Sequence, residues 1–274
     1  MKRIATILRE LFDLYNRIQI PRAAAALSYY LTMTFFPLVI CLNSLLGYNF
    51  KQSMRILSFI GQFISSNASA MLQSFLLHIA VNNNSGIFAA GLLALVTSAS
   101  AGIRTLQATI GEMQGQRRYQ GMWGFLFSVV FSLLFMGAIY FAVLVVFTSR
   151  DILDLINGYL PFFDISRSWS WIRFLILGVI SFLLLWVVYA FSKARGLRYK
   201  TAPGALFSTV GLVFMTSVFS NFIGVSARYP LIYGSLASVI LLMFWLFLVC
   251  QIIFLGAALN LVISRHLSGE DGQG

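Results

Sequence analysis

The sequence predicts an all-α membrane protein with six transmembrane helices and both termini in the cytoplasm. Three observations lead there. The chain of 274 residues is 59% hydrophobic and 10% charged, whereas soluble domains are about 45–50% apolar and about 25% charged. Six mainly apolar runs, 23–47, 86–103, 122–147, 171–191, 204–224 and 236–263, each reach the roughly 18 or more residues needed to cross a bilayer. Finally, Lys and Arg collect on one side of those runs. With the N-terminus inside, thirteen fall in inner segments: Lys2, Arg3, Arg9, Arg17, Arg22, Arg104, Arg117, Arg118, Lys193, Arg195, Arg198, Lys200 and Arg265. Five fall outside, Lys51, Arg55, Arg150, Arg167 and Arg228, with Arg173 at a helix edge.

The elements follow in order. Residues 1–22 form a cytoplasmic segment in which Ile4, Ile7, Leu8, Leu11 and Leu14 recur at helical spacing while Arg9 and Arg17 point elsewhere. That pattern fits an amphipathic helix on the inner surface, and a plain lead-in fits it as well. The run at 23–47 has 25 residues, against about 7–15 for a signal-peptide core, and is expected to stay in the mature protein. Residues 48–85 make the longest outer connection. Residues 57–81 carry no charge, but Gln62, Ser65, Ser66, Asn67, Ser69, Gln73 and Ser74 make them more polar than the six runs. They read as an amphipathic outer helix or hairpin, with Ile60, Ile64, Met71, Phe75 and Ile79 on its apolar side. A seventh span there would reverse every later loop and spoil the charge asymmetry.

Span two carries Gly86, Ala90, Ala94, Ser98 and Gly102 at every fourth position, and span five carries Gly204, Ser208, Thr216, Ser220 and Gly224, interrupted at Leu212. Rows of small residues let helix backbones approach closely, so spans two and five are expected inside the bundle. Span three is bulky and almost wholly apolar, and is expected toward lipid. Trp123, Trp169 and Trp171 sit at span ends, where aromatic belts belong; Trp186 and Trp245 lie deeper, as packing residues. Residues 23–263 thus make one transmembrane domain, followed by a short cytoplasmic tail at 264–274.

The net charge of +11 is accounted for by topology and an anionic inner leaflet, and no nucleic-acid partner follows from it. Cys41 and Cys250 both fall inside spans and read as buried apolar thiols. His78 and His266 are expected on opposite sides of the membrane, and none of the eight acids, Glu10, Asp13, Glu112, Asp151, Asp154, Asp164, Glu270 and Asp271, lies in a span. No hydrolase, zinc or Walker motif occurs. The chain therefore reads as neither an enzyme nor a cofactor or metal binder, and coupling through an intramembrane carboxylate is disfavoured.

What remains is uncharged polarity at membrane depth and cations at the inner rim. On span one, Tyr30, Thr34, Pro37, Cys41 and Ser44 fall on one stripe. Pro37 removes a backbone donor, which bends the helix and frees a carbonyl near Met33. With Thr97, Ser98 and Ser100 on span two, Asn221 on span five and Asn260 on span six, this stripe either lines a cavity or packs helices by ordinary hydrogen bonds. Arg22 and Arg104 at inner ends either hold a phosphate or carboxylate headgroup or snorkel.

Three stretches carry a family resemblance. "AAAALSYYLTMTFFPLVI", "APGALFSTVG" and "YPLIYGSLASVILLMFWLFLVCQIIFLGAALN" together resemble the opening and closing motifs of the YihY/BrkB membrane-protein family. The residues matching the pattern are Ala26, Tyr29, Tyr30, Phe36, Pro37, Pro203, Gly204, Tyr233, Gly234, Gly256 and Asn260. The resemblance implies a multi-pass protein of the bacterial inner membrane. Members are linked with serum resistance and envelope lipid handling, and some carry a ribonuclease name that the missing catalytic groups argue against here. Many relatives read GAELN where this chain reads "GAALN", so any role for that acid is in doubt at Ala258. The expected function is a transporter or flippase-like protein for an anionic lipid or envelope precursor, with Arg22, Tyr30, Thr34, Pro37, Ser98, Arg104, Asn221, Tyr233 and Asn260 along the path. The alternative is a non-transporting scaffold. A third, passive-channel reading is disfavoured, because few charged residues line the spans. Expected partners are anionic membrane lipids, and a second copy or an envelope protein remains open.

Overall fold

Apolar runs too long for a soluble helix must satisfy every backbone group internally, and the helix is the local way to do so. The computed structural model describes residues 2–46, 85–115, 122–147, 165–193, 200–225 and 236–270, and these are helical apart from short turns. In chain order the helices are α1 (Lys2–Arg17), α2 (Ile20–Leu46), α3 (Ser85–Met113), α4 (Met122–Phe147), α5 (Ile165–Phe191), α6 (Ala202–Val225) and α7 (Leu236–Glu270). Among the described residues, three stretches are long and apolar enough to cross a membrane: Ala89–Met113, Ala202–Phe219 and Val239–His266. Two shorter apolar stretches are Ser128–Ala138 and Leu175–Phe191. The connection expected to hold an outer helix or hairpin lies outside the described residues.

The helices overrun the hydropathy boundaries. Span two was expected to end at 103, but α3 continues to Met113, because a helix needs apolar residues only within hydrocarbon. It stops at Gly115, whose positive φ of 70° is the left-handed geometry of a helix C-terminus. Likewise α7 runs to Glu270 through most of the expected tail.

α2 packs between α3 and α7, α3 against α4, α5 against α6 and α6 against α7, while α4 and α5 meet more lightly. These contacts trace a ring in chain order, closed where α7 returns to α2. The core gathers at one end of it, around Ile20, Ala24, Leu27, Leu106, Ile110, Leu185, Tyr189, Ala205, Phe254, Ala258 and Leu261.

α1 joins this core instead of remaining a loose lead-in. Leu14 and Ile18 are buried, and Ile7, Leu11 and Tyr15 pack beside them. Tyr15 Oη donates to Gln251 Oε1 at 3.0 Å, and His266 Nε2 lies 3.3 Å from Glu10 Oε1 on the same helix pair. Leu8 departs from the face expected of it. It is exposed, because six residues place it about 120° round the helix from Leu14.

The small-residue rows are only partly used. Gly102 packs on Tyr30 Cβ and Leu27 Cδ1, but Gly86, Ala90 and Ala94 are exposed. Span five was expected inside the bundle, yet α6 buries one face, through Ala205, Ser208 and Thr209. Its opposite face exposes Leu206, Val210, Val213 and Phe214. The row specifies a single close crossing, and the branched and aromatic residues between its members face outward. α4, expected toward lipid, exposes Leu126, Val130, Leu133 and Leu134 and buries Ser128, Phe131 and Ser132.

Candidate functional site

The densest polar chemistry among the described residues joins α5, α6 and α7. α6 begins at Ala202 with Pro203 in its first turn, so one of its early backbone donors is already missing. The Gly204 N–H still needs an acceptor, and Asn260 of α7 supplies it: Gly204 N donates to Asn260 Oδ1 at 2.6 Å. Asn260 Nδ2 donates in turn to the Thr201 carbonyl at 3.0 Å. A side chain from another helix thereby caps the start of α6.

One turn further along, α6 and α7 touch backbone to backbone. A β-carbon at Gly204 would land on the Gly256 carbonyl oxygen, and one at Gly256 would overlap Ser208 Oγ and lie 2.9 Å from Tyr189 Oη. Tyr189, at the end of α5 and almost wholly buried, donates to the Ile253 carbonyl at 2.7 Å and lies 2.8 Å from Ser208 Oγ. Ser208 Oγ donates to the Ile252 carbonyl at 3.1 Å. Three helices are thus pinned by hydroxyls on backbone oxygens, an arrangement that requires glycine at the crossing.

The α2 stripe is a second seam. Thr34 is buried and donates to the Tyr30 carbonyl at 2.7 Å, Thr32 donates to the Ser28 carbonyl at 2.8 Å, and Cys41 is completely buried. Tyr30 and Pro37 are half-buried, and α2 runs through Pro37 without a break. On α3, Ser98 donates to the Ala94 carbonyl at 2.7 Å and the exposed Thr97 to the Leu93 carbonyl at 2.9 Å. Ser100 Oγ and Ser132 Oγ approach to 3.5 Å between α3 and α4. Each of these hydroxyls has a backbone or hydroxyl partner within the bundle.

Arg22 and Arg104 lie elsewhere. Both are exposed. Arg22 continues a stripe of exposed Ala25, Ala26, Tyr29 and Met33 on α2, and Arg104 one of Leu93, Thr97 and Ala108 on α3. Arg104 also falls within the apolar stretch Ala89–Met113. The predicted site residues therefore separate into three places: Asn260 in the α6–α7 crossing, Tyr30, Thr34, Pro37 and Ser98 on α2 and α3, and the two arginines on outward faces. Asn221 lies on α6 with its side chain outside the described residues, and Tyr233 lies outside them altogether. Sequence reading missed Tyr189, Tyr15 and Gln251. Gln251 carried a signal, since it and Asn260 are the two amides in the apolar run of α7. Tyr189 carries no such signal, being one of many aromatics in the apolar runs.

Ala258, where many relatives are expected to carry an acid, is completely buried in the core. A family model described as virulence factor BrkB matches residues 11–274. The chain is also 27% identical over 270 residues to a Bacillus subtilis (strain 168) protein called putative ribonuclease-like protein YfkH, covering 95% of this chain and 96% of that one. No solved structure matches the chain.

Proposed function

The chain belongs to the BrkB virulence-factor family, and from that premise we propose that it is a six-span bacterial inner-membrane protein that moves an anionic lipid or lipid-linked envelope precursor. One observation carries the reading: Arg22 and Arg104 stand on exposed, otherwise mainly apolar stripes of α2 and α3. Phosphate and carboxylate are the groups a guanidinium binds in a bidentate way, so exposed arginines on faces turned toward lipid suit an anionic headgroup. The two arginines would receive the headgroup at the inner rim while the chains stay in the bilayer.

Six spans with both ends inside fit the charge distribution. They also fit the Glu10–His266 contact. An even number of crossings brings the start of α2 and the end of α7 to one side, where α1 can touch both. The ribonuclease-like name of the relative is not carried over, because two histidines on opposite sides of a membrane offer no shared acid–base pair.

Lipid translocation in vesicles holding the purified full chain tests the reading. Labelled anionic and zwitterionic lipids are compared, beside empty vesicles and the Arg22→Ala and Arg104→Ala variants. Protein-dependent flipping of the anionic lipid, lost in the variants, is expected. Full flipping by both variants removes the headgroup role, and no flipping by folded protein removes transport.

A second reading, a non-transporting scaffold, is favoured by the α2 stripe and Asn260. Both ends of the Asn260 amide are occupied by α6, and Thr34 is bonded to its own helix. A stable protein partner recovered with the intact chain would support it.

A further inference from the structure

We propose that α1 is a membrane-surface anchor whose Leu8 and Phe12 insert into the anionic leaflet on the side of the chain termini. This stands apart from the transport reading and holds whether or not any lipid is moved.

The inference starts from how α1 divides its circumference. One flank, Ile7, Leu11, Leu14, Tyr15 and Ile18, packs into the bundle core. A second flank, Arg9, Asp13, Asn16 and Arg17, is exposed and polar. Between the two lies a third, where Leu8 is 59% and Phe12 65% exposed, one turn apart. A surface helix that needed only to cover the bundle would carry a single apolar stripe. Here the apolar arc is wider than the bundle covers, and its uncovered part adjoins the polar flank. With protein on one side and water on the other, that uncovered strip meets the bilayer edge.

The level of α1 agrees. Glu10 lies 3.3 Å from His266, where the apolar stretch Val239–His266 of α7 ends. At about 1.5 Å per residue those 28 residues span about 42 Å, comparable with the roughly 40–45 Å of a bilayer including its headgroups. Tyr15 reaches deeper along α7 to Gln251, but Leu8 and Phe12 flank Glu10, each about 3 Å from it along the axis of α1, and so lie near the headgroup level. The charges of α1 suit that place: Lys2, Arg3, Arg9 and Arg17 outnumber Glu10 and Asp13, which favours anionic lipid. An aromatic and an aliphatic side chain flanked by arginines is the composition of an interfacial anchor, with the arginines free to reach phosphates.

Depth-dependent quenching tests the proposal. A polarity-sensitive fluorophore is placed singly by Leu8→Cys, Phe12→Cys, Asp13→Cys or Asn16→Cys in the full chain. Cys41 and Cys250 are buried, and the unsubstituted chain reports their background labelling. The chain is reconstituted in vesicles of phosphatidylethanolamine and phosphatidylglycerol, and quenching by lipid-borne nitroxide is compared with quenching by aqueous iodide. Probes at 8 and 12 should be blue-shifted and quenched several-fold more by the lipid nitroxide than those at 13 and 16, which iodide should quench. Replacing phosphatidylglycerol by phosphatidylcholine should weaken the difference. Iodide quenching at 8 and 12 equal to that at 16 overturns the proposal by placing the strip in water. Protection from both quenchers overturns it by placing the strip under protein, such as a second copy.

Discussion

At Gly256 the hydroxyl of Ser208 already occupies the space a β-carbon would need, and the Gly204 carbonyl and Tyr189 Oη close the other sides. These neighbours are backbone or a hydroxyl held by its own bonds, so none can yield cheaply. Gly256→Ala should destabilise the folded protein by about 1–3 kcal/mol through overpacking, seen as a lower melting temperature in detergent. An unchanged melting temperature would mean α6 and α7 are further apart than the crossing implies. Tyr189→Phe keeps the ring and removes the bond to the Ile253 carbonyl, and should cost about 1 kcal/mol. Asn260→Leu should cost about 2 kcal/mol, because it leaves the buried Gly204 N–H without its acceptor, while the Thr201 carbonyl keeps only its bond from the Ala205 N–H. Gly256 and Asn260 were visible beforehand through the closing motif, but their physical roles were not. A sequence shows that an asparagine lies deep in a span, not that both ends of its amide are spent on one neighbouring helix.

Among the elements, α1 and its junction with α2 depend on Gln19, a non-glycine residue at φ 53°. The Ile18 N–H bonds back to Leu14 and the Arg22 N–H to the Gln19 carbonyl, so one residue ends α1 while its carbonyl starts α2. The left-handed geometry costs an L-residue about 1–2 kcal/mol. Gln19→Gly should therefore leave stability unchanged or raise it by up to about 1 kcal/mol, the strain relief being partly offset by unfolded-state entropy. Gln19→Val, β-branched at the same φ, should lower it by at least about 1 kcal/mol. The comparison is a pair of thermal melts, and a glycine variant that melts well below the unchanged chain would contradict the turn. Helix existence was legible from hydropathy in each of the apolar runs that the structure describes, since long apolar runs in hydrocarbon admit no other local backbone solution. Helix ends and facing were not. The length of α3 beyond 103 is set by Gly115, and the outward face of α6 by which helices pass beside it. A repeating small residue states that close approach is possible, and says nothing of how many of its positions a neighbour will use.

For the whole molecule, the ring of α2 to α7 and the placement of α1 beside the end of α7 impose a parity. Glu10 and His266 are partly exposed, so their pair contributes little to stability, about 0–1 kcal/mol. Its value is topological, since two side chains 3.3 Å apart cannot lie on opposite faces of a membrane. If α2 to α7 each cross once, α2 starts and α7 ends on the same face, and residues between α2 and α3 must begin and end on the other. Under the proposed topology, the inward bias of Lys and Arg puts that shared face in the cytoplasm. Single cysteines introduced by Lys51→Cys and Arg228→Cys should react with a membrane-impermeant maleimide in intact bacterial spheroplasts. Those introduced by Arg117→Cys and Arg195→Cys should react only after permeabilisation. An odd seventh crossing between 48 and 85 would keep position 51 outside but make 117 accessible from outside and 228 protected. The pair 51 and 228 thus separates six spans from seven, without any assumption about what the protein carries.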